Sequence, residues 1–252
     1  MRFSLVIPLA PERGAEILNS IKEIDYPRRE FQVIVVKGKS PSENRNKGVD
    51  KAKGEIIGFL DDDAVVDKNL LKEAEKFFSA HDADIVGGPQ LTPEDEKGFA
   101  KFSGYALSSG FGAWKLAGRY SKNKLNLNAD EKELASVSLF CKKKVFEKVK
   151  FNPDLFPGED MDFIDRAKKI GFKVAYSPDL IVYHRRRNNV KGLMKQIFNY
   201  GKVRPEKESF FSTIKNPFFL APSVFSLYLL ILVFSAVLNP SIVGSAVGFR
   251  EI

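Results

Sequence analysis

The sequence predicts an α/β protein: an open, doubly wound, Rossmann-like and mostly parallel sheet with helices on both faces, then a C-terminal membrane segment. Three observations carry this. Short, nearly continuous apolar runs alternate with helical patterns from the N-terminus onward, as strands buried on both faces require. Three aspartates follow directly on one of those strands, at the edge where open α/β sheets bind ligands. Residues 217–249 carry no charge at all.

The elements follow in order. Phe3–Ile7 is apolar and short, broken by Pro8 and without a small-residue cleavage site, so it reads as a first strand and not a signal peptide. Ala15–Ile24 places Ile17, Leu18 and Ile21 at helical spacing. Phe31–Val36 is a β-branched run, hence a second strand, and Glu43–Lys53 a polar helix ended by Gly54. Ile56–Leu60 is the third strand, Leu70–Phe78 the third helix and Asp84–Val86 the fourth strand. Gly98–Asn128 loses the pattern and reads as loops and a helix around a pocket. Order returns with a strand at Leu134–Phe140, helices at Lys142–Val149 and Met161–Ile170, and strands at Lys173–Tyr176 and Leu180–Tyr183. Gly171 ends the second of those helices, and Asn189–Val203 is a basic amphipathic helix.

Phe218–Leu238 is 21 residues of mainly Phe, Leu, Val and Ile. As a helix it is long enough to cross a hydrocarbon core of about 30 Å; a buried core helix is the alternative. Asn239-Pro240 ends it, and Ser241–Phe249 is too short to cross again, which leaves a re-entrant segment or the start of a second span.

The charge belongs to the same region. The chain of 252 residues carries 40 basic and 32 acidic side chains, a net +8. Residues 185–216 hold nine of the basic and two of the acidic ones, a net +7, which leaves +1 for the other 220 residues. A basic collar beside an apolar stretch reads as a cytoplasmic membrane flank. The balance elsewhere argues against a nucleic-acid partner. The lone Cys141 excludes an intrachain disulfide and a cysteine zinc site.

Four clusters carry chemistry. Asp61-Asp62-Asp63 repel one another at the end of a buried strand, which a divalent cation bridging to another anion would relieve. Their hard oxygens suit Mg²⁺ or Mn²⁺ shared with substrate phosphates; a solvated acidic turn is the plainer alternative. Gly158-Glu159-Asp160-Met161-Asp162 opens a helix, where acidic residues complement the dipole and one can also serve as general base. Asn44-Arg45-Asn46-Lys47-Gly48 lies at a helix start that suits a phosphate or a base carbonyl, or is simply solvated. His184-Arg185-Arg186-Arg187 suits diphosphate or lipid phosphate. His184 is a candidate metal ligand or a structural histidine.

The order of these elements resembles the family 2 glycosyltransferases of GT-A fold. The resemblance rests on Phe3–Pro8 with Glu12, Val33–Val36, Arg45-Asn46-Lys47-Gly48, Gly54–Leu60 leading into Asp61-Asp62-Asp63, Gly158–Asp162 with Arg166 and Gly171, and Tyr183-His184. It covers about residues 1–204, and Lys195–Lys202 looks like the membrane-proximal helix of anchored members. It implies a metal-dependent, inverting, non-processive transfer from a nucleotide-diphosphate sugar to a hydroxyl acceptor. Pro8, Glu12, Arg45, Asp61, Asp62 and Arg185 would contact the donor. Asp61, Asp63 and His184 would hold Mg²⁺ or Mn²⁺. Asp160 would be the general base, with Glu159 in reserve.

The implied partners are a lipid-linked or glycan acceptor and the membrane, with the catalytic domain on the cytoplasmic side; a homo-oligomer is compatible with this. The implied division is a catalytic domain over 1–204, a basic juxtamembrane linker over 205–216 and an anchor over 217–252. Three departures bear on the substrate. Leu9-Ala10-Pro11 replaces the usual Thr-Tyr-Asn, Lys37 stands where the family has an aspartate that reads the base, and the Gln-x-x-Arg-Trp of processive synthases is missing after Gln196. The first two motivate an alternative, a non-catalytic anchored protein that binds a sugar nucleotide or a partner.

Overall fold

The structure, a computed structural model, describes residues 1–207, 224–231 and 234–235. The chain divides into two units, Met1–Val203 and Arg204–Ile252.

In the first unit, β1 (Phe3–Leu9), α1 (Ile17–Lys22), β2 (Phe31–Lys37), α2 (Pro41–Lys51) and β3 (Ile56–Phe59) alternate as expected. Then come β4 (Ala64–Val66), α3 (Leu70–Ala80), β5 (Ile85–Gly87), β6 (Gln90–Leu91), α4 (Gly98–Ser108) and the short α5 (Gly110–Ala113). The order closes with β7 (Leu139–Lys142), α6 (Glu159–Lys169), β8 (Val174–Tyr176), β9 (Val182–His184) and α7 (Val190–Lys207). Six strands form the main sheet in the order β2-β1-β3-β7-β5-β8.

Side chains alternate along the strands, and this builds two cores. Phe3, Leu5 and Ile7 of β1 face one side with Ile17, Ile21, Leu70, Leu71 and Phe77 of α1 and α3. Val6 faces the other, with Ile57 and Phe59 of β3, Val49 of α2 and Phe163 and Ile164 of α6. The second core is aromatic. Phe151 lies 5.0 Å from Phe59 and 4.4 Å from Phe163, centroid to centroid.

The sheet is mostly parallel, as expected, but mixed: five of its six strands run the same way and β7 alone is reversed. β7 runs antiparallel to both β3 and β5, with Phe59 opposite Leu139 and Val86 opposite Phe140. β7 also starts later than its apolar pattern implies. Ser136–Ser138 form a 3-10 turn in front of it, and Lys143–Glu147 a 3-10 turn instead of the expected α-helix. Gly54 does not cap α2, which already ends at Lys51. A Cβ on Gly54 would lie 2.5 Å from the Phe3 carbonyl carbon, so only glycine lets this loop pass β1. Gly171 has the expected role: at φ 96° it ends α6 in the left-handed region.

A small second sheet, β4-β9-β6, stands at the carboxyl edge of the first. β4 pairs antiparallel with β9, with Ala64 opposite His184. This register brings the last strand back beside the aspartate run.

In the second unit, residues 224–231 and 234–235 are helical. Most of the Phe218–Leu238 stretch and all of Ser241–Phe249 lie outside the described residues. Among the described residues, no helix is long and apolar enough to cross a membrane.

Candidate active site

β3 delivers Asp61, Asp62 and Asp63 to the floor of a cavity of about 670 Å³. The same cavity is lined by Pro8, Glu159, Asp160, His184 and Arg185. Most of the residues expected to make a site therefore converge, although they come from four separate regions of sequence. Glu12 does not join them: it is exposed in the β1–α1 loop, outside the lining.

The three aspartates point to different partners. Asp63 Oδ1 lies 3.1 Å from His184 Nε2, across the β4–β9 register. Its other oxygen takes an ion pair from Arg13. Arg13 also reaches Asp62 Oδ1 at 3.1 Å. Asp61 Oδ1 faces Arg45 Nη2 at 3.4 Å. Burial would raise the Asp63 carboxyl, but His184 and Arg13 outweigh it and hold the group well below the usual carboxylate range. For Asp62 burial wins over Arg13, and its two aspartate neighbours add to it, so its carboxyl is pushed up to about 6.

Arg45 lines the same cavity. Its side chain is 4% exposed and is engaged by the protein. Nη1 donates to Glu159 Oε1 at 2.6 Å. Nη2 donates to Ser136 Oγ at 2.9 Å and to Asp61. The guanidinium stands over the Phe151 ring at 5.5 Å. Asn44, Asn46 and Gly48 of the same run are equally structural, whereas Lys47 is exposed and pairs only with Glu43. Asn44 donates to Gly38 O at 3.0 Å. Asn46 clamps the Phe151 backbone, donating to its O at 2.8 Å and accepting from its N at 3.0 Å. Gly48 packs flat on Val6. A segment that suited a phosphate by its sequence is instead the joint between α2 and the far half of the chain.

Glu159 and Asp160 separate in the same way. Glu159 is buried against Arg45, and burial lifts its carboxyl above the ordinary range even so. Asp160 Oδ1 accepts from Met161 N at 2.8 Å, whereas Oδ2 has only a long 3.4 Å contact from Ser136 N. Oδ2 therefore keeps a lone pair for a substrate. Gly158, at φ 104°, turns the chain so that both residues open α6 at the cavity wall.

The arginines after His184 also divide. Arg185 pairs with Asp95 at 2.9 Å and Glu96 at 3.5 Å, at the cavity rim. Arg186 bonds Thr92 and Gln90 and lies 4.8 Å over the Tyr120 ring, so it fastens β9 to β6.

The residues fit a divalent ion in part. Asp63 and His184 are adjacent donors, and hard oxygen with imidazole suits Mn²⁺ as well as Mg²⁺. Asp61 is turned to Arg45, and among the described residues no group of three or more His, Cys, Asp or Glu side chains converges on one point. A diphosphate would have to supply further ligands, as Mg²⁺ sites commonly require.

Arg13 and Ser136 were missed from the sequence. Arg13 had a signal, as the cation nearest Pro8 on the β1–α1 loop. Ser136 had none, since it lies inside an apolar pattern that reads as strand.

A mixed α/β sheet whose inner strand ends in carboxylates, faced across one cavity by an acidic helix start, places the protein in the class of GT-A-like glycosyltransferases. The family model described as "Glycosyltransferase like family 2" matches residues 1–199, and the chain belongs to that family. It is 23% identical over 231 residues to glycosyltransferase AglE of Haloferax volcanii, covering 79% of this chain and 71% of that one. It is 28% identical over 116 residues to the poly(ribitol-phosphate) β-N-acetylglucosaminyltransferase TarS of Staphylococcus aureus, 34% of this chain and only 20% of the relative. Among solved structures, the mannosyltransferase PcManGT of Pyrobaculum calidifontis, in complex with GDP-Man and Mn²⁺, aligns with a TM-score of 0.65 at 16% identity, covering 99% of this chain and 81% of that one. TarS 1–349 in complex with UDP-GlcNAc aligns at 0.56 with 18% identity, covering 75% and 60%. At these identities the structural likenesses establish the fold.

Proposed function

We propose that the protein transfers a glycosyl group from a nucleotide-diphosphate sugar to a hydroxyl acceptor, inverting the anomeric carbon and releasing after one transfer. The observation that carries this is Asp160 Oδ2, with only a long 3.4 Å contact from Ser136 N, across one cavity from the Asp61–Asp63 run. The named relatives support it, since both are described as glycosyltransferases.

In this reading Asp160 Oδ2 accepts the proton of the acceptor hydroxyl as its oxygen attacks the anomeric carbon in line. The bond to the diphosphate breaks, and Arg13 and Arg185 at the cavity face the charge that develops there. Asp63 and His184, with oxygens of the diphosphate itself, would hold Mg²⁺ or Mn²⁺, and Asp61 would join them only through the oxygen not turned to Arg45; when bound, the ion would neutralise the leaving diphosphate. Glu159, occupied by Arg45, is not the base.

The acceptor is lipid-linked or membrane-delivered, with the catalytic unit on the cytoplasmic side. Three observations support this. Val190, Met194, Ile197 and Phe198 on α7 are exposed at a spacing of four, three and one, an apolar stripe with Lys191 and Lys202 nearby. Leu193, Gln196 and Asn199 of the same helix line the cavity. The uncharged 217–249 stretch, beyond the 205–216 linker, is the proposed anchor.

The test is release of nucleoside diphosphate from a panel of sugar nucleotides, with Mn²⁺, with Mg²⁺ and with chelator. Turnover that needs the metal, and is lost in Asp63→Ala and Asp160→Asn, is the expected result. No turnover with any donor would overturn it in favour of a binding protein. For the acceptor, the full chain should sediment with phosphatidylserine vesicles and use acceptors in them faster than soluble ones; equal rates would refute membrane delivery.

A further inference from the structure

We propose that Arg45 is a positioning residue for glycosyl transfer and not a ligand of the donor: one guanidinium fixes the spacing between Asp61 at the end of β3 and Asp160 at the start of α6. The proposal rests on the reading of Asp160 as general base.

The geometry is specific. Nη1 holds Glu159, the residue next to Asp160. Nη2 has two N–H groups; one goes to Ser136 Oγ and the other to Asp61. The Ser136 backbone N–H in turn faces Asp160 Oδ2 at 3.4 Å. Arg45 thus reaches Asp160 twice, through the neighbouring residue and through Ser136, and reaches Asp61 directly. Arg45 lines the cavity with its side chain 4% exposed and both N–H groups of Nη2 already committed to the protein. The Phe151 ring closes one face, and Phe151 is itself held by Asn46 of the same helix.

Stability does not explain this arrangement. A buried ion pair is often no better than packed apolar side chains of similar size. Arg45 Nε is also buried without a partner, which is a cost. What the planar fork supplies is three fixed directions from one group, and lysine cannot reproduce them. The members it joins come from positions 45, 61, 136 and 159, so no local element could hold them in register.

The experiment compares donor affinity with turnover, using the sugar nucleotide that the wild-type chain consumes fastest. Affinity is measured by calorimetry with Mn²⁺ and turnover by diphosphate release at saturating donor. Arg45→Lys keeps a cation for Glu159 but loses the fork. It should lower kcat about 100-fold, the scale of a misplacement near 1 Å, with donor Kd within about threefold of wild type. Because Arg45→Met alone can fail to fold, the double variant Arg45→Met/Glu159→Gln removes both charges together. It should melt cooperatively and remain equally slow.

A tenfold or larger loss of donor affinity in Arg45→Lys, with kcat intact, would make Arg45 a donor ligand and overturn the proposal. Wild-type kcat in either variant would overturn it as well. A wild-type chain without turnover would overturn the transferase reading and this proposal together. Full activity in Asp160→Asn with slow Arg45→Lys would overturn the Asp160 arm and leave Arg45 acting through Asp61.

Discussion

Gly48→Ala probes the contact that seats α2 on the sheet. Gly48 lies three residues after Arg45, and a Cβ there would come within 2.3 Å of Val6 Cγ1 and 3.1 Å of Cγ2. Unstrained carbon contacts lie near 3.5–4.0 Å, so about 1 Å of movement is needed. Val6 is fully buried on β1, which pairs with β2 on one side and β3 on the other, and a β-branched side chain has few rotamers to offer. The helix must therefore move. Alanine gains about 1 kcal/mol of helix propensity over glycine. Overpacking of this kind costs about 1–3 kcal/mol, and a 2.3 Å contact belongs at the upper end. The net is about 1–2 kcal/mol of destabilisation, or a Tm lower by about 2–8 °C at this chain length. Displacing Arg45 by the same 1 Å should lower turnover by up to about 100-fold. The assays are thermal unfolding by circular dichroism and diphosphate release. Val6→Ala removes both clashing methyls, so Val6→Ala/Gly48→Ala should be more stable than the two single changes summed, by about 1 kcal/mol. An unchanged or raised Tm in Gly48→Ala, or strict additivity in the double variant, would refute the reasoning.

Other changes separate structure from chemistry. Asn46→Ala leaves the Phe151 backbone N–H and C=O without their partner and should cost about 1–3 kcal/mol in urea unfolding. Lys47→Ala, which loses only an exposed pair with Glu43, should change stability by less than about 0.5 kcal/mol. Asp160→Asn should lower kcat by about 10²–10⁴ with an unchanged melting curve. Glu159→Gln should instead lower stability, by about 3–5 kcal/mol, because it leaves Arg45 buried beside a neutral amide. Asp62 gives a pH signature. Its folded carboxyl, near 6, lies above the unfolded value of about 3.9, so the folded state holds the proton more tightly and loses stability as pH rises between those values. The Tm of Asp62→Asn relative to wild type should therefore climb from pH 4 to pH 7 in metal-free buffer; a flat or falling difference would contradict the burial argument.

The elements that alternate in sequence were legible because strands buried on both faces have no polar side to disguise them. Phe3–Leu9 and Ile56–Phe59 stand within two residues of their patterns, and the aspartates follow as the chain leaves the sheet. The direction of β7 was not legible. An apolar strand looks the same whichever way it runs, and only the path of the loops around it decides. The strand also shares its apolar pattern with Ala135–Ser138, which turns aside to reach Arg45 and Asp160. The Asn44–Gly48 run shows the sharper limit. Polar residues near a helix start look solvated or ligand-facing until their partners are known. Those partners, Glu159 and Phe151, lie 114 and 105 positions further on. Burial of a polar side chain is a property of the fold, and no local pattern encodes it.

The two guanidiniums that serve the aspartate run differ in a way that bears on how the site works. Five carboxylates, Asp61, Asp62, Asp63, Glu159 and Asp160, line one cavity, and without cations they would repel one another. Arg45 answers the inner pair, Asp61 and Glu159, from a position 4% exposed. Arg13 answers the outer pair, Asp62 and Asp63, and its side chain is 50% exposed. Moving Arg45 would strand buried charges, at a cost of several kcal/mol. Moving Arg13 returns a flexible side chain to water: its half-exposed pair with Asp63 contributes only about 0–1 kcal/mol, and the buried Asp62 takes up a proton in place of the guanidinium. A cation brought in with a diphosphate would therefore replace Arg13 at Asp63, beside His184, at little cost, while the Arg45 side stays fixed. The run needs its aspartates for different reasons: Asp61 ties the strand to the buried frame, and Asp63 presents an exchangeable oxygen to the cavity.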